Sequence, residues 1–369
     1  MKKLCRWGFM STAGIGKKNW QAIQLTGNAT LVAVSSRSKE ASRQFIDSCQ
    51  SRVPFDTAPD AIEGYGALLD RDDIDAVYIP LPTGIRKEWV IRTAEKGKHV
   101  LCEKPCALNA EDLREMIEAC RQNNVQFMDG VMLMHTLRLQ KMKAALEKDI
   151  GQLRRVSSQL TFFGDPEFHN QNIRTDSNLE PHGCLGDVGW YNIRLSLWAT
   201  QWQLPHAVRA TTLTESKREN TPDAVPISLS GELYFDEGVS AGFYCGFDSH
   251  HQQWAFISGD QGFIQLRDFV LPFSNQPLAF QINTPEFIVD ECQFDMLDQT
   301  KMVTTAESGN NAHDSQETKL FRHFSSLVLA GTIEKCWTDY ALKTQVVLDA
   351  CFESAKSDGK LIKIPKLEL

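Results

Sequence analysis

The strongest constraint on this chain is a change of rhythm near Gly130. Before it, short apolar strands alternate with amphipathic helices. Leu4–Met10, Thr30–Ser35, Ala76–Pro80, His99–Cys102 and Gln126–Asp129 read as strands. Between them, Lys17–Leu25, Lys39–Cys49, Gly64–Asp70, Arg86–Lys96 and Asn109–Asn123 read as helices. Strands alternating with helices of this length require a parallel sheet with helices on both faces. After Gly130 and one helix, Leu137–Glu147, the chain becomes strand-rich over Arg155–Phe162, Ala207–Leu213, Ile227–Phe235, Gly238–Cys245, Gln253–Ser258 and Gly262–Leu266. These runs alternate polar and apolar residues, as a half-buried sheet does. Helices return at Asp187–Ala199, Glu317–Ala330 and Ala341–Ser357. The expected fold is α/β in two parts: a parallel domain over 1–129, then an α+β domain over 130–369 with an open, largely antiparallel sheet. The last helix is free to pack back on the first domain.

Two domains also suit 369 residues at roughly 100–200 residues per domain. Lys+Arg of 39 against Asp+Glu of 47 leaves a net charge of −8, so no basic face can dominate phosphate attraction and no nucleic-acid partner is expected. No apolar run reaches the roughly 18 residues of a membrane span, so no membrane partner is expected. Lys2 and Lys3 are followed by no long apolar stretch, because Arg6 interrupts it, and no signal peptide is read. The ten cysteines are scattered singly, as buried small hydrophobes in a reducing, cytoplasmic setting are. His182 and the pair His250-His251 lack carboxylates at ligand spacing, so no metal site is expected. Trp190 and Trp254 read as core, and no Ser/His/Asp arrangement calls for a hydrolase.

The first strand runs into Ser11-Thr12-Ala13-Gly14-Ile15-Gly16, and a helix follows. In a dinucleotide-binding Rossmann domain, backbone N–H groups of this turn approach a pyrophosphate at the helix N-terminus. The usual glycines fall at Ser11, Ala13 and Gly16, and only the third is kept. By itself the turn also fits a plain strand-to-helix connection. The strand before, the helix after and the length of the unit favour the dinucleotide reading. The second strand ends in Ser35-Ser36-Arg37-Ser38, with no carboxylate before Glu40 to take a ribose 2′-OH. Hydroxyl and guanidinium at Ser36 and Arg37 suit a 2′-phosphate, which favours NADP over NAD. A solvated arginine opening a helix is the plainer alternative.

The strand His99–Cys102 ends in Glu103-Lys104-Pro105, where ligands bind in open α/β sheets. Together with the Ser11–Gly16 turn, Tyr78-Ile79-Pro80-Leu81-Pro82-Thr83, the block Lys96–Pro105 and Gly183–Tyr191, this turn is similar to the glucose-fructose oxidoreductase/inositol dehydrogenase family, Gfo/Idh/MocA. The likeness extends over essentially the whole chain, and its Asp187-x-Gly189-x-Tyr191 resembles the branch of dihydrodiol and D-xylose dehydrogenases. It implies a Rossmann domain and a second domain whose open sheet packs against another subunit, giving a homodimer or homotetramer. It implies cofactor contacts from Ser11 to Gly16, at Pro80, Leu81 and Pro82, and at Glu103 and Lys104. It implies catalysis by Lys104, Asp187 and Tyr191. Many members have histidine where this chain has Tyr191, and the tyrosine branch gives that residue the acid/base role. Asp187 and Tyr191 are four apart, on one face of one helix.

Other departures are open. Arg86 stands where the family often has a histidine near the cofactor, either functional or solvated. His135 and Arg138, in an unusual Met132–Arg138 segment, are candidates for the substrate pocket or for packing. The expected function is an NADP-dependent oxidoreductase passing a hydride between nicotinamide and a small sugar, polyol or cyclic diol. The alternative is a non-catalytic dinucleotide-binding sensor of the same fold.

Overall fold

The computed structural model describes residues 3–365; Lys2 of the N-terminal reading and residues 366–369 lie outside the described residues. Contacts divide the chain into two compact units, one running up to His135 and resuming over Asn310–Gln345, the other Thr136–Gly309 with Val346 onward. The first boundary lies just beyond the expected one at Gly130. The sequence expectation placed residues 130–369 in the second domain with the last helix free to pack back on the first; the contacts group Asn310–Gln345, with the helix read at Glu317–Ala330 and the start of the last helix, with the first unit.

In the first unit β1 (Cys5–Met10), α1 (Ile15–Leu25), β2 (Ala29–Ser36), α2 (Lys39–Gln50), β3 (Asp60–Glu63), α3 (Tyr65–Leu69), β4 (Ala76–Ile79), α4 (Thr83–Glu95), β5 (His99–Cys102), α5 (Ala110–Gln122) and β6 (Phe127–Asp129) follow one another. The strands form a six-stranded sheet in the order β3-β2-β1-β4-β5-β6, parallel throughout. Every residue of β4 is buried, which is why it reads as a continuous apolar run. Side-chain caps start the helices. Ser38 accepts from the Ala41 N–H, and Asn109 accepts from the Asp112 N–H at 2.8 Å, each filling an orphan donor of the first turn. The sequence rhythm gives no sign of β3, because only Ala61 and Ile62 of its four residues are apolar.

The second unit holds α6 (Leu137–Lys148), β7 (Leu153–Phe163), α7 (Pro166–Gln171), α8 (Trp190–Ala199), β8 (Ala207–Ser216), β9 (Val225–Tyr234), β10 (Ser240–Gly246), β11 (Asp248–Gly259), β12 (Phe263–Leu266), β13 (Ala279–Asn283), β14 (Glu286–Asp290), β15 (Gln293–Leu297) and β16 (Thr300–Thr304). The chain continues through α9 (Gln316–Ala330) and α10 (Cys336–Lys356) to β17 (Ile362–Lys363). Nine strands form one sheet in the order β16-β13-β12-β11-β7-β10-β9-β8-β17, with β14-β15 a separate hairpin. Among the described residues of this sheet only the β7–β10 pair is parallel. Helix α8 is buried along most of its length and is fixed to the sheet where the Asn192 amide donates to Ser158 Oγ at 2.8 Å. On the other face Ser157, Gln159, Tyr244, Trp254 and Phe256 are only half-buried.

Helix α9 explains why the chain returns to the first unit. Its Phe321 and Phe324 rings lie 5.0 Å from Trp7 of β1, and the Trp7 indole N–H donates to Ser325 Oγ at 3.0 Å. Aromatic pairs of this kind add about 0.5–1.5 kcal/mol each beyond their burial, so without α9 one apolar stripe of the sheet would face water. The second boundary falls within α10. No helix of the described residues is long and apolar enough to cross a membrane.

Candidate active site

In the first unit the strand order reverses between β1 and β4, and the loops at their carboxyl ends border that switch point. Ser11–Gly16 follows β1, Pro80–Pro82 follows β4 and Glu103–Pro105 follows the next strand, β5. Open α/β sheets bind ligands at this place.

The Ser11–Gly16 turn fits a pyrophosphate. Helix α1 begins after Gly14 with no side-chain cap and no acidic residue of its own in its first turn, and the Glu317 carboxylate of α9 lies 3.9 Å from Lys18 Nζ at its fourth residue, so the backbone N–H groups of the turn are not capped from within the helix. A Cβ on Gly16 would stand 3.2 Å from the Phe45 ring, so a glycine lets α1 pack closely. Ser11, in the first glycine position, takes φ 119°, a strained value for a residue with a Cβ. Its hydroxyl accepts the Ala13 N–H at 3.1 Å, and its own N–H donates to the Ser35 carbonyl at 2.9 Å. The tight turn is therefore made without the glycine.

At the end of β2, the Ser36 hydroxyl is buried and donates to the Ser38 carbonyl at 2.6 Å while accepting from Ser42. Arg37 is exposed. It lies near Tyr65, whose phenol is pushed up by burial and drawn back by the Arg37 charge.

The Pro80–Pro82 and Glu103–Pro105 loops are held from inside. Arg86, 3% exposed, donates to the carbonyls of Leu81 at 2.9 Å and Glu103 at 2.8 Å, and to that of Pro105. It is neither solvated nor aimed at a ligand; its fork ties two loops together. The Glu103 carboxylate is also turned inward, accepting the Tyr78 hydroxyl at 2.6 Å and the Lys104 N–H at 3.2 Å. Burial and that carboxylate push the Tyr78 phenol well up, so it remains a donor. Lys104, half-buried, follows on this braced turn through a cis peptide to Pro105.

In the second unit Asp187 and Tyr191 are brought to one turn, but not on one regular α-helix. Leu185–Gly189 forms a π turn, and Tyr191 is the second residue of α8. The widened turn is set up by Gly183, whose φ is +48° and where a Cβ would stand 2.2 Å from the Pro226 carbonyl. Asp187 Oδ2 pairs with Arg174 Nε at 2.7 Å. Asp187 and Tyr191 are both close enough to raise the Arg174 guanidinium, with Asp187 the larger cause. Sequence reading missed Arg174, since it belongs to no local spacing with Asp187. His182, just before the turn, is buried against Phe352 and pushed down to about 4 by that burial.

The expectation that His135 and Arg138 line a substrate pocket is corrected by their surroundings. His135 stacks on Trp337 at 4.7 Å and meets His323 at 5.6 Å. Its Nε2 is sealed from solvent, and burial pushes the ring down to about 3. Arg138, 2% exposed, pairs with Asp268 Oδ1 at 2.5 Å and donates to the Asp268 carbonyl at 2.8 Å. Both are packed, because segment 132–138 leads directly into α6 and its polar groups must find partners inside. His250 and His251 are exposed. Among the described residues no cluster of three or more His, Cys, Asp or Glu could hold a metal.

Comparison with known proteins bears on this geometry. The family model for the oxidoreductase family with an NAD-binding Rossmann fold, GFO/IDH/MocA, matches residues 5–131, and the GFO/IDH/MocA C-terminal domain model matches residues 139–265. A dTDP-3,4-didehydro-2,6-dideoxy-alpha-D-glucose 3-reductase from Saccharopolyspora spinosa is 29% identical over 83% of this chain and 87% of its own length. D-xylose 1-dehydrogenase (NADP(+)) 2 from Haloferax volcanii is 30% identical over 69% of this chain and 74% of its own. A 3-ketoreductase from Actinomadura kijaniata, solved with NADP and TDP-benzene, shares the fold with a TM-score of 0.78 at 22% identity, covering 95% of this chain and 98% of that one.

Proposed function

The chain belongs to the Gfo/Idh/MocA oxidoreductase family, and from that premise we propose that it passes a hydride between NADP(H) and a carbon of a small sugar, polyol or cyclic diol. As a member it is an NAD(P)-dependent oxidoreductase acting on CH–OH groups of sugar-like substrates. The observation that carries the reading is the braced carboxyl edge of the first unit. There an uncapped α1 N-terminus and the Lys104 turn both follow strands at the switch point.

In this proposal Ser11–Gly16 holds the pyrophosphate with backbone N–H groups, and Arg37, exposed at the end of β2, takes the 2′-phosphate that selects NADP. Pro80, Leu81 and Pro82 border the nicotinamide, and Glu103 acts from beneath by fixing the Lys104 turn. When bound, the nicotinamide supplies or accepts the hydride. Tyr191 exchanges the proton of the reacting oxygen. A free tyrosine has a pKa of about 10, so a phenolate there needs positive charge; the family resemblance gives Lys104 the other catalytic role. Asp187 orients the group that Tyr191 serves. Positioning supplies most of the rate and proton transfer a smaller factor.

The proposal extends to a homodimer or homotetramer in a reducing, cytoplasmic setting. Self-association is supported by the half-exposed sheet face and by the β14–β15 hairpin. One side of that hairpin carries Phe287, Val289, Phe294 and Met296, 59%, 54%, 65% and 65% exposed. A two-stranded hairpin with such a face is marginal unless covered. The test of the function is NADPH oxidation and NADP⁺ reduction with the purified full chain against D-xylose, D-glucose, inositols and cyclic diols. Turnover with any of these is the expected result. Tight NADPH binding with no turnover across the panel would favour the sensor instead.

A further inference from the structure

Arg174 belongs to a turn with no other evident reason to be rigid. Asn172 accepts the Arg174 N–H at 3.1 Å and lies 3.4 Å from Nη1. Thr175, 1% exposed, donates its hydroxyl to the carbonyls of Asn172 at 2.9 Å and His169 at 3.0 Å. From a separate segment, Arg218 donates to the His169 carbonyl at 3.3 Å and also to the Asn172 carbonyl and Thr175 Oγ1. One arginine thus fixes the backbone of the turn, and the turn delivers a second, Arg174, to Asp187 at 2.7 Å. The Asp187 side chain is 13% exposed and that of Arg174 40% exposed, so the pair stands at the edge of solvent, where a substrate can reach it.

We propose that Arg174 is the positioning residue of the Asp187–Tyr191 turn: through Nε it fixes the Asp187 carboxylate, and its guanidinium gives Tyr191 a neighbouring positive charge. The inference rests on the reading of Tyr191 as the proton-exchanging group. A carboxylate beside Tyr191 opposes ionisation of the phenol, and Arg174 offsets it. Asp187 meets the guanidinium at 2.7 Å, and Glu180 and Tyr191 raise it less than Asp187 does. Two acidic side chains and a phenol around one cation make a site whose charge balance depends on that cation. Lysine cannot reproduce it fully, because it lacks the planar fork that lets Nε hold a carboxylate while the rest of the group points elsewhere.

The titration that tests the inference itself needs no substrate. The full chain is labelled with ¹³Cζ-tyrosine, and the Tyr191 resonance is assigned by its loss in Tyr191→Phe. Its ionisation is followed against pH in the wild type, Arg174→Gln, Arg174→Lys and Asp187→Asn. Removing a charge beside a titrating group typically moves the midpoint by about one pH unit, tenfold in the equilibrium. Arg174→Gln is expected to raise the Tyr191 midpoint by that amount, Arg174→Lys to raise it less, and Asp187→Asn to lower it. A merely structural arginine would leave the Tyr191 midpoint unmoved in folded Arg174→Gln and Arg174→Lys. If Arg174→Gln does not fold, the Arg174→Lys and Asp187→Asn pair decides alone. Midpoints within about 0.2 unit of wild type in every folded variant overturn the inference. Full turnover by Tyr191→Phe would instead overturn the reading beneath it, whatever the resonance does.

Discussion

Methionine in place of Arg86 removes one buried cation that serves three backbone carbonyls, those of Leu81, Glu103 and Pro105. Each buried acceptor left without a donor costs about 1–3 kcal/mol. Relief of the arginine's own desolvation offsets part of that sum, so a net loss of about 3–5 kcal/mol is expected. The damage should be local, since the two loops joined by this fork follow β4 and β5. Urea unfolding gives the magnitude, and hydrogen exchange read by mass spectrometry locates it, with peptides covering 78–86 and 101–106 exchanging faster. Arg92→Met on the same helix is the control. Arg92 pairs with Glu88 at 3.0 Å in solvent and lies 4.3 Å from the Trp89 ring centre, contacts worth about 1 kcal/mol or less together. If Arg86→Met loses no more stability than Arg92→Met and leaves exchange in both loops unchanged, Arg86 is not the clamp.

Arg37→Ala should weaken NADPH binding about tenfold or more and leave NADH nearly unchanged, read by cofactor fluorescence; tighter NADH than NADPH binding by the wild type would remove the case for NADP. Phe287→Asp with Phe294→Asp should shift the chain toward single copies in light scattering at micromolar concentration, and a wild type already of single-chain mass would refute self-association. His135, held at about 3 against an ordinary 6.5, is depressed in the folded state. Its contribution is therefore complete above pH 6.5 and is lost as pH falls toward 3. His135→Phe should accordingly lose less stability than the wild type between pH 7.5 and 5 in urea titrations, and parallel losses would show that His135 does not titrate this way.

Much of this architecture was legible because each signal was local. The six parallel strands of the first unit differ from the read boundaries by a residue or two, except β3, whose four residues bury only one side chain fully. The β14–β15 hairpin and β16 escaped because they put apolar residues on exposed surface, against the pattern that sequence reading relies on. Helix α9 was found as a helix, but its allegiance depends on Trp7, more than 300 residues away, which no periodicity encodes. The expectation for Lys104, Asp187 and Tyr191 rests on the family resemblance of the motifs that carry them. Arg174 and Arg86 were not legible in this way, because their roles are set by carbonyls and a carboxylate that meet them only after folding. Ser11 shows the converse: a poor motif match still makes the turn, since its hydroxyl supplies a local bond that glycine lacks.

The most direct measurement is kcat for Tyr191→Phe beside His135→Ala, on the panel member turned over fastest, with NADPH affinity determined for each protein. The substitution at Tyr191 removes one hydroxyl and almost no volume, so folding and cofactor binding should survive. Loss of a positioned acid/base costs on the order of 10²–10⁴-fold in rate. A fall of that size with NADPH affinity preserved, and a His135→Ala rate close to wild type, is the expected result. A Tyr191→Phe enzyme within about threefold of wild type while His135→Ala collapses would contradict the account, because the proton would then travel elsewhere.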